Sequence, residues 1–535
     1  MRRPPPQPPA VRVPPQSLAA LVAPVRAAGL LAAEPEALDG VEIRGVTDDS
    51  RQAGPGWLFG AISPDSDAAR DGHDFVPAAL AQGAAAALVR ADYTLPEAPA
   101  SLEATASDPV PLGKGERLPS AVLVRSTDSR AALAEAAAAF YGRAADRLTL
   151  LGITGTNGKT TTAVLLHELF QALGQTAGLV GTIENRIGGE RYATPFTTPE
   201  AVALQRLLRA MADAGVGPVA MEVSSHGLAL DRVRTLGFRA AVFTNLTHDH
   251  LDFHGSAAAY EAAKKRLFDG LGPDAVAVVN ADDPAHARMT AGTAARVVTF
   301  GTAPGADVRV EVLANTADGL RLRLDGHEVQ TRLAGRYNAL NLAAAYAVAR
   351  DLGLAAADVV GALAEVRGVP GRFETVRSAD GVLGVVDYAH TPDALDNVLA
   401  TAAEIVPAGA RLWVVFGAGG DRDPSKRAPM GAVATRHTAH AIITSDNPRT
   451  ESPAAIVADV AAGAVRPAAE ILDRAAAIAH AAREATPGDV IVVAGKGHED
   501  YQVVGAEARH FDDREELRAA FAARPAAAHQ TEGAA

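Results

Sequence analysis

Apolar residues along this chain follow two alternating periods. Continuous apolar runs of strand length stand at 148–153, 219–223, 240–243 and 275–279, and again at 382–387, 412–416, 441–445 and 490–493. Runs unbroken by polar residues suit parallel strands buried on both faces, and the longer stretches between them carry helical spacing. The alternation predicts two doubly wound α/β sheets. From 308 to 333 the period changes to strict alternation, as in Leu320-Arg321-Leu322-Arg323-Leu324-Asp325-Gly326, which predicts an antiparallel excursion turned by Asp-Gly. An earlier block has shorter helical and strand-like runs, including 78–90, and a Pro- and Glu-rich stretch at 95–119 that reads as a surface loop.

These patterns divide the chain into three α/β blocks, 17–147, 148–370 and 371–525. The proline-rich 1–16 and the small, polar 526–535 are expected to be disordered tails. A length of 535 residues fits several domains. Hydrophobic residues make up 48% and aromatics only 4%, so alanine-rich helix–sheet packing with few large anchors is expected. A net charge of −13 argues against general binding to nucleic acid or anionic lipid. The absence of cysteine excludes disulfides and thiolate chemistry and fits a reducing cytoplasm. No uncharged apolar run is long enough for a membrane span, so a soluble cytoplasmic protein is expected.

Candidate chemistry begins at Gly155-Thr156-Asn157-Gly158-Lys159-Thr160-Thr161, placed between the run 148–153 and a helical pattern starting at Thr162. Strand, glycine turn and helix make a phosphate cradle: loop N–H groups face an anion, Lys159 reaches the terminal phosphates, and the Thr160 hydroxyl can ligate Mg²⁺. Ile153 stands where the common pattern has glycine, which indicates a shorter variant loop. Glu222, at the end of the 219–223 run and followed by Val223-Ser224-Ser225-His226, is either a second Mg²⁺ ligand or a charged strand cap. The segment 245–254 is dense in ligand types, Thr247-His248-Asp249-His250-Leu251-Asp252-Phe253-His254, and suits either one ligand to the nucleotide's Mg²⁺ or the core of a metal-dependent phosphohydrolase. Lys264, in Tyr260-Glu261-Ala262-Ala263-Lys264-Lys265-Arg266, reads on pattern alone as part of a solvated basic helix face. In the third block Asp387, 417–423, 446–449 and 495–499 follow the carboxyl ends of strands, where open α/β sheets bind ligands. Asp446-Asn447-Pro448-Arg449 alone is equally a turn after a strand.

Taken in order, these phrases together with Gly335-Arg336-Tyr337-Asn338-Ala339-Leu340-Asn341, Asp387-Tyr388-Ala389-His390-Thr391-Pro392 and Gly495-Lys496-Gly497-His498-Glu499 resemble the Mur ligases, ATP-dependent amino-acid-adding enzymes of peptidoglycan synthesis. The resemblance runs from about Thr47 to Asp513. It implies a three-domain architecture: an N-terminal UDP-sugar domain, a central P-loop-type ATP-binding domain and a C-terminal Rossmann-like domain that takes the amino acid. ATP and Mg²⁺ are the implied cofactors, UDP-N-acetylmuramoyl-L-alanyl-D-glutamate and meso-diaminopimelate the implied substrates, and a monomer is expected.

Carried over position by position, the resemblance implies catalytic roles for Lys159, Glu222, His250 and Lys264, with Lys264 as the family's carbamylated lysine and a ligand to a second Mg²⁺. Residues 155–161 with Asn338, Arg372, Asp387 and Tyr388 match the nucleotide side. Ser50, Thr197, Thr198, Ser224 and Arg232 match UDP-sugar contacts. Asp446, Asn447, Pro448 and Arg449 look like the motif that recognises meso-diaminopimelate, aided by Arg422, Gly495 and Glu499. The chemistry agrees: diaminopimelate differs from lysine by a distal carboxylate, which calls for a bidentate cation. Two departures stand out. Phe196 occupies a position that is often Asn in related enzymes, and 63–70 replaces a shorter loop near the uracil. Alternatives are a lysine-adding relative, the phosphohydrolase, and an ATP-binding regulatory protein without ligase activity. Closure of the third block on the second is expected, with hinges near 368–371.

Overall fold

A computed structural model of the chain describes residues 6–35, 38–64, 70–96, 121–247 and 249–524. The loop expected at 95–119, most of the altered 63–70 segment, His248 and the tail 526–535 lie largely or wholly outside these described residues.

Three sheets carry the architecture. The first has four parallel strands in the order Gly45–Thr47, Trp57–Gly60, Ala86–Arg90, Val122–Ser126. Its core joins Leu58 and Leu88 to Leu21 of the helix Leu18–Ala27 and to Leu133 of the helix Ser129–Phe140. The second has eleven strands, with a parallel centre in which Thr149–Thr154 lies between Pro218–Glu222 and Phe238–Phe243. Both of its margins turn antiparallel. At one of them, Asp325 and Gly326 take φ of 46° and 83° and join Gly319–Leu324 to His327–Gln330, so the Asp-Gly turn forms where alternation predicts it. The third sheet has six strands, with Leu383–Asp387, Val490–Ala494, Leu412–Phe416 and His440–Ile443 parallel. The buried strands are the continuous apolar runs, and alanine dominates the helices packed on them, as in Ala343, Ala344, Ala345 and Ala347 of Arg336–Asp351. No helix among the described residues is long and apolar enough to cross a membrane.

Two expectations change. The helix after the phosphate loop begins at Lys159, three residues before Thr162, because Gly158 takes the left-handed cap position (φ 86°) that a side chain would resist. Residues 6–16, expected as a disordered tail, lie against folded chain. The Pro6 carbonyl accepts from the Ala193 N–H (3.1 Å), Val11 packs on the first and second domains, and Gln16 pairs with Ile43. Val11 and Val13 supply apolar contacts that proline-rich composition masks.

The terminal helix Asp513–Ala522 is followed by Arg524, whose guanidinium clasps Asp380 and holds that carboxyl down to about 2. Because the folded pKa is depressed, this stabilisation is complete above the ordinary carboxyl range of ~4 and is lost as pH falls towards 2. In a series of thermal melts, Asp380→Asn is expected to lower Tm at pH 7, with the gap from wild type closing between those limits. A gap of constant size across pH would contradict the pairing.

Candidate active site

The phosphate loop is shaped by what lies under it. Gly155 (φ 147°) passes over Thr244 and Asn245, and a Cβ at Gly158 would stand 2.7 Å from the Asn341 carboxamide oxygen, so both positions need glycine. Asn245 fixes the turn by accepting from the Asn157 N–H (2.8 Å), while Thr244 donates to the Asn157 carbonyl (2.6 Å). Lys159 rests on the carbonyls of Gly155 and Thr156 (2.9 Å each).

Glu222 ends the neighbouring strand and is 1% exposed. Its carboxylate accepts from the Thr160 hydroxyl (2.8 Å), the Thr182 N–H (2.7 Å) and the Thr182 hydroxyl (3.0 Å). A carboxyl group buried this deeply needs such partners, and these three hydrogen bonds supply them. Thr160 and Glu222 both face the cavity as oxygen donors, a set that fits a small hard dication such as Mg²⁺. His250 (φ 52°) lines the same cleft, its ring edge-on to His226 at 4.9 Å. Burial pushes the His250 pKa down to about 4 against the opposing pull of Asp249, so the imidazole is neutral at pH 7 and has a lone pair to offer.

Lys264 overturns the solvated-face expectation. In the helix Ala257–Asp269 it is 1% exposed, on the same side as Tyr260, Leu267 and Phe268. Its ammonium donates to the Gly155 carbonyl (2.8 Å) and lies 4.4 Å from the centre of the Tyr260 ring. Burial, and then the nearby Lys159, lower its pKa well below the ordinary lysine value. As an ammonium it carries donors only and cannot ligate a cation.

These groups line one cleft of about 890 Å³, which also takes in Thr197, Thr198, Ser224 and Arg232 on one side and Arg372, Asp387 and Tyr388 on the other. Arg232 donates to the Thr198 carbonyl (3.0 Å), pairs with Glu200, and stands 5.3 Å over the Phe196 ring, itself 47% exposed. Asp387 accepts from the N–H groups of Phe373 (2.7 Å) and Ala389 (2.8 Å), and Arg372 stacks on Tyr388 at 4.4 Å. The third domain meets the phosphate loop directly. Asp393 accepts from Asn157 (3.0 Å) and Thr247 (3.3 Å), and Lys426 pairs with Asp249 (2.9 Å).

Not every expected residue reaches this cleft. Asn338 is 1% exposed, bonded to the Ala334 carbonyl and to Asn341, and Asn341 is the one that lines the cavity. The two asparagines are three residues apart on one helix face, a spacing that makes both candidates. Ser50 opens a 3₁₀ turn capped by Asp49 in the first domain and does not line the cavity. Of the ligand-dense segment, His250, Phe253 and His254 form a ring cluster with His226. Among the described residues no three His, Cys, Asp or Glu side chains converge as a metal set.

A second constellation forms in the third domain. Asn447 donates to Glu499 (2.9 Å), and a Cβ at Gly495 would meet Asp446 Oδ2 at 2.5 Å. Arg449, in the left-handed region at φ 52°, donates to the Gly420 carbonyl (2.7 Å), and a Cβ at Gly419 would find Arg449 Nη1 at 3.1 Å and Arg422 Cγ at 3.7 Å. Two guanidinium side chains thus flank a glycine turn beside an acidic pair, an arrangement with charges for both ends of an amino-acid zwitterion. Tyr388 stands between the two regions, 5.0 Å from His498 and 4.4 Å from Arg372.

Comparison with known proteins gives two family matches, the Mur ligase middle domain over residues 153–349 and the Mur ligase glutamate ligase domain over 371–497. A protein of Chlorobaculum tepidum, UDP-N-acetylmuramoyl-L-alanyl-D-glutamate–2,6-diaminopimelate ligase, is 44% identical over 514 residues, covering 93% of this chain and 96% of its own. The protein of that name from Geobacter metallireducens is 40% identical over 532 residues, covering 94% and 97%. A solved structure of a ligase with the same name superposes with a TM-score of 0.65 at 33% identity, covering 95% of this chain and 99% of its own. MurF from Acinetobacter baumannii shares the fold, with a TM-score of 0.63 at 18% identity and coverage of 91% and 96%.

Proposed function

The chain belongs to the Mur ligase family, and from that premise we propose that it joins meso-2,6-diaminopimelate to the free D-glutamyl carboxylate of UDP-N-acetylmuramoyl-L-alanyl-D-glutamate, using ATP, in cytoplasmic peptidoglycan precursor synthesis. The observation that carries the reading is the single cleft in which Lys159, Glu222, His250 and Lys264 face Arg372 and Asp387 of the third domain, with Thr198, Ser224 and Arg232 beside them.

In this reading the reaction proceeds in two steps. The D-glutamyl carboxylate displaces ADP from the γ-phosphorus and becomes an acyl phosphate. The amine of diaminopimelate then attacks the acyl carbon, releasing phosphate and a proton as the amide forms. Little covalent work falls to the protein, so positioning and charge neutralisation supply the rate. Lys159 and the N–H groups of the loop that Asn245 does not engage bind the terminal phosphates. Asp387, already aimed by two backbone donors, has lone pairs left for ribose hydroxyls, and Arg372 is held flat by Tyr388. Thr198, Ser224 and Arg232 hold the UDP-sugar peptide. Thr160 and Glu222 would hold Mg²⁺, which when bound spreads phosphate charge. Neutral His250, with Lys264 as its carbamate, would serve a second ion. Asn447, Arg449, Arg422 and Glu499 take the distal end of diaminopimelate. The protein acts as a monomer.

Hydroxylamine trapping tests the acyl phosphate. With ATP, Mg²⁺ and the UDP-sugar dipeptide but no diaminopimelate, a D-glutamyl hydroxamate is expected in mass spectrometry, and none without ATP. Phosphate release that never yields hydroxamate would replace this reading with hydrolysis.

A further inference from the structure

We propose that Lys496, together with the hairpin formed by Tyr501–Val504 and Glu507–His510, is a positioning device that holds the Asp446–Arg449 segment in shape and thereby sets amino-acid selection. The inference rests on the reading above that this segment takes the amino-acid substrate.

Lys496 is 0% exposed, so its side chain stays out of reach of a ligand and acts through its neighbours. Its ammonium donates to Asn447 Oδ1 (3.0 Å), approaches Glu499 Oε2 (3.5 Å), and lies 5.7 Å from the centre of the Tyr501 ring. Asn447 Oδ1 accepts a second donor, the Val503 N–H (3.0 Å). Two donors on one oxygen fix which end of the carboxamide is which, because a flipped amide would set its NH₂ against an ammonium and a backbone N–H. The Asn447 NH₂ is therefore turned onto Glu499 (2.9 Å). One buried cation thus orients both an amide and a carboxylate assigned to the ligand.

The hairpin clamps the rest of the segment. Gln502 Nε2 donates to the Asp446 carbonyl (2.8 Å), the Arg449 N–H donates to the Val503 carbonyl (3.1 Å), and the Gly505 N–H donates to the Arg449 carbonyl (2.7 Å). Arg449 sits in the left-handed region, where a residue with a side chain persists only if its surroundings hold it, and the hairpin supplies both backbone bonds. Charge points the same way. Asp446 and Glu499 are near enough to repel each other, Asp446 Oδ2 has no hydrogen-bond partner, and the buried Arg474, which is also near them, is engaged by Asp513 at 2.7 Å. Lys496, 3.5 Å from Glu499, adds a cation on the Asn447 side of this acidic pair.

The test measures steady-state kinetics for all three substrates in Lys496→Met and Gln502→Leu, alongside wild type, with L-lysine as the competing amino acid. The expected result is a rise of about tenfold or more in KM for diaminopimelate in Lys496→Met and about threefold in Gln502→Leu, with KM for ATP and for the UDP-sugar dipeptide within about twofold. The preference for diaminopimelate over lysine shrinks in the same order. Equal losses for all three substrates, or an unchanged KM for diaminopimelate, would overturn the proposal. If Lys496→Met does not fold, Gln502→Leu decides by the same criterion. Wild type that uses lysine as well as diaminopimelate would count against the substrate reading alone, and the device would then be judged on whichever amino acid is used.

Discussion

Lys264→Ala is expected to lower kcat by on the order of 10²–10³, the range seen when one pre-placed transition-state stabiliser is removed, while KM for each substrate changes by less than about fivefold. The geometry explains why so large an effect should follow a residue that sequence pattern assigns to solvent. Lys264 is enclosed, bonded to the Gly155 carbonyl and set against the Tyr260 ring, and it lies near Lys159 at the phosphate loop. A second ammonium there adds nothing that Lys159 lacks and repels any cation beside Glu222 and His250. Its lowered pKa leaves more of the amine unprotonated, and an unprotonated amine can add CO₂: the new N–C bond forms, a proton leaves to solvent, and the side chain becomes an anion with two oxygens. The carbamate inverts the local charge and gives a cation two hard ligands. Acetate or formate added to Lys264→Ala is expected to restore part of kcat by placing a carboxylate in the vacated space, and wild-type activity is expected to fall in bicarbonate-depleted buffer. Undiminished activity in Lys264→Ala would end this assignment.

Arg449→Ala is expected to cut kcat/KM for diaminopimelate by about 10²–10³, the range for removing one partner of an enclosed charge pair, with KM for ATP within about twofold. The guanidinium is anchored on the Gly420 carbonyl, which leaves most of its five donors for a ligand, and Arg422 also approaches Gly419. Diaminopimelate carries a distal carboxylate that lysine lacks, so use of lysine is expected to change little. Arg449→Lys, which keeps charge but not the planar fork, should fall between the two. Alanine at a left-handed position also strains the turn, so thermal melts accompany the kinetics. Equal losses in the apparent affinities for ATP and diaminopimelate would contradict the role.

The phosphate loop and the parallel strands were readable from sequence because their determinants are local: glycines at fixed spacing, a lysine and threonine after them, and apolar runs of strand length. The Asp-Gly turn was readable for the same reason. On pattern alone Lys264 was not, although the resemblance gave it a catalytic role, because adjacency in Lys264-Lys265-Arg266 suggests one basic face, whereas successive helical residues are about 100° apart. The i−4 relation to Tyr260 and the i+3 and i+4 relations to Leu267 and Phe268 place Lys264 with the apolar stripe, a signal present in the sequence but outweighed by charge. Asn338 was carried over from the resemblance, and the structure separates it from Asn341, which meets Gly158 and lines the cleft. Asp393 and Lys426 had no sequence signal. They meet Asn157 and Asp249 across 236 and 177 residues, and such contacts exist only once two domains dock. Lys496 stood within the 495–499 motif, but its part in orienting Asn447 depends on a hairpin whose bonds are mostly backbone.

The central claim is tested most directly by ADP release from the purified protein with Mg²⁺-ATP and UDP-N-acetylmuramoyl-L-alanyl-D-glutamate, comparing meso-diaminopimelate, L-lysine and no amino acid. Release that depends on diaminopimelate, with the tripeptide product in mass spectrometry, is the predicted result. Equal or greater release with lysine would contradict the selection assigned to Arg449, and no release under any condition would contradict ligase activity itself.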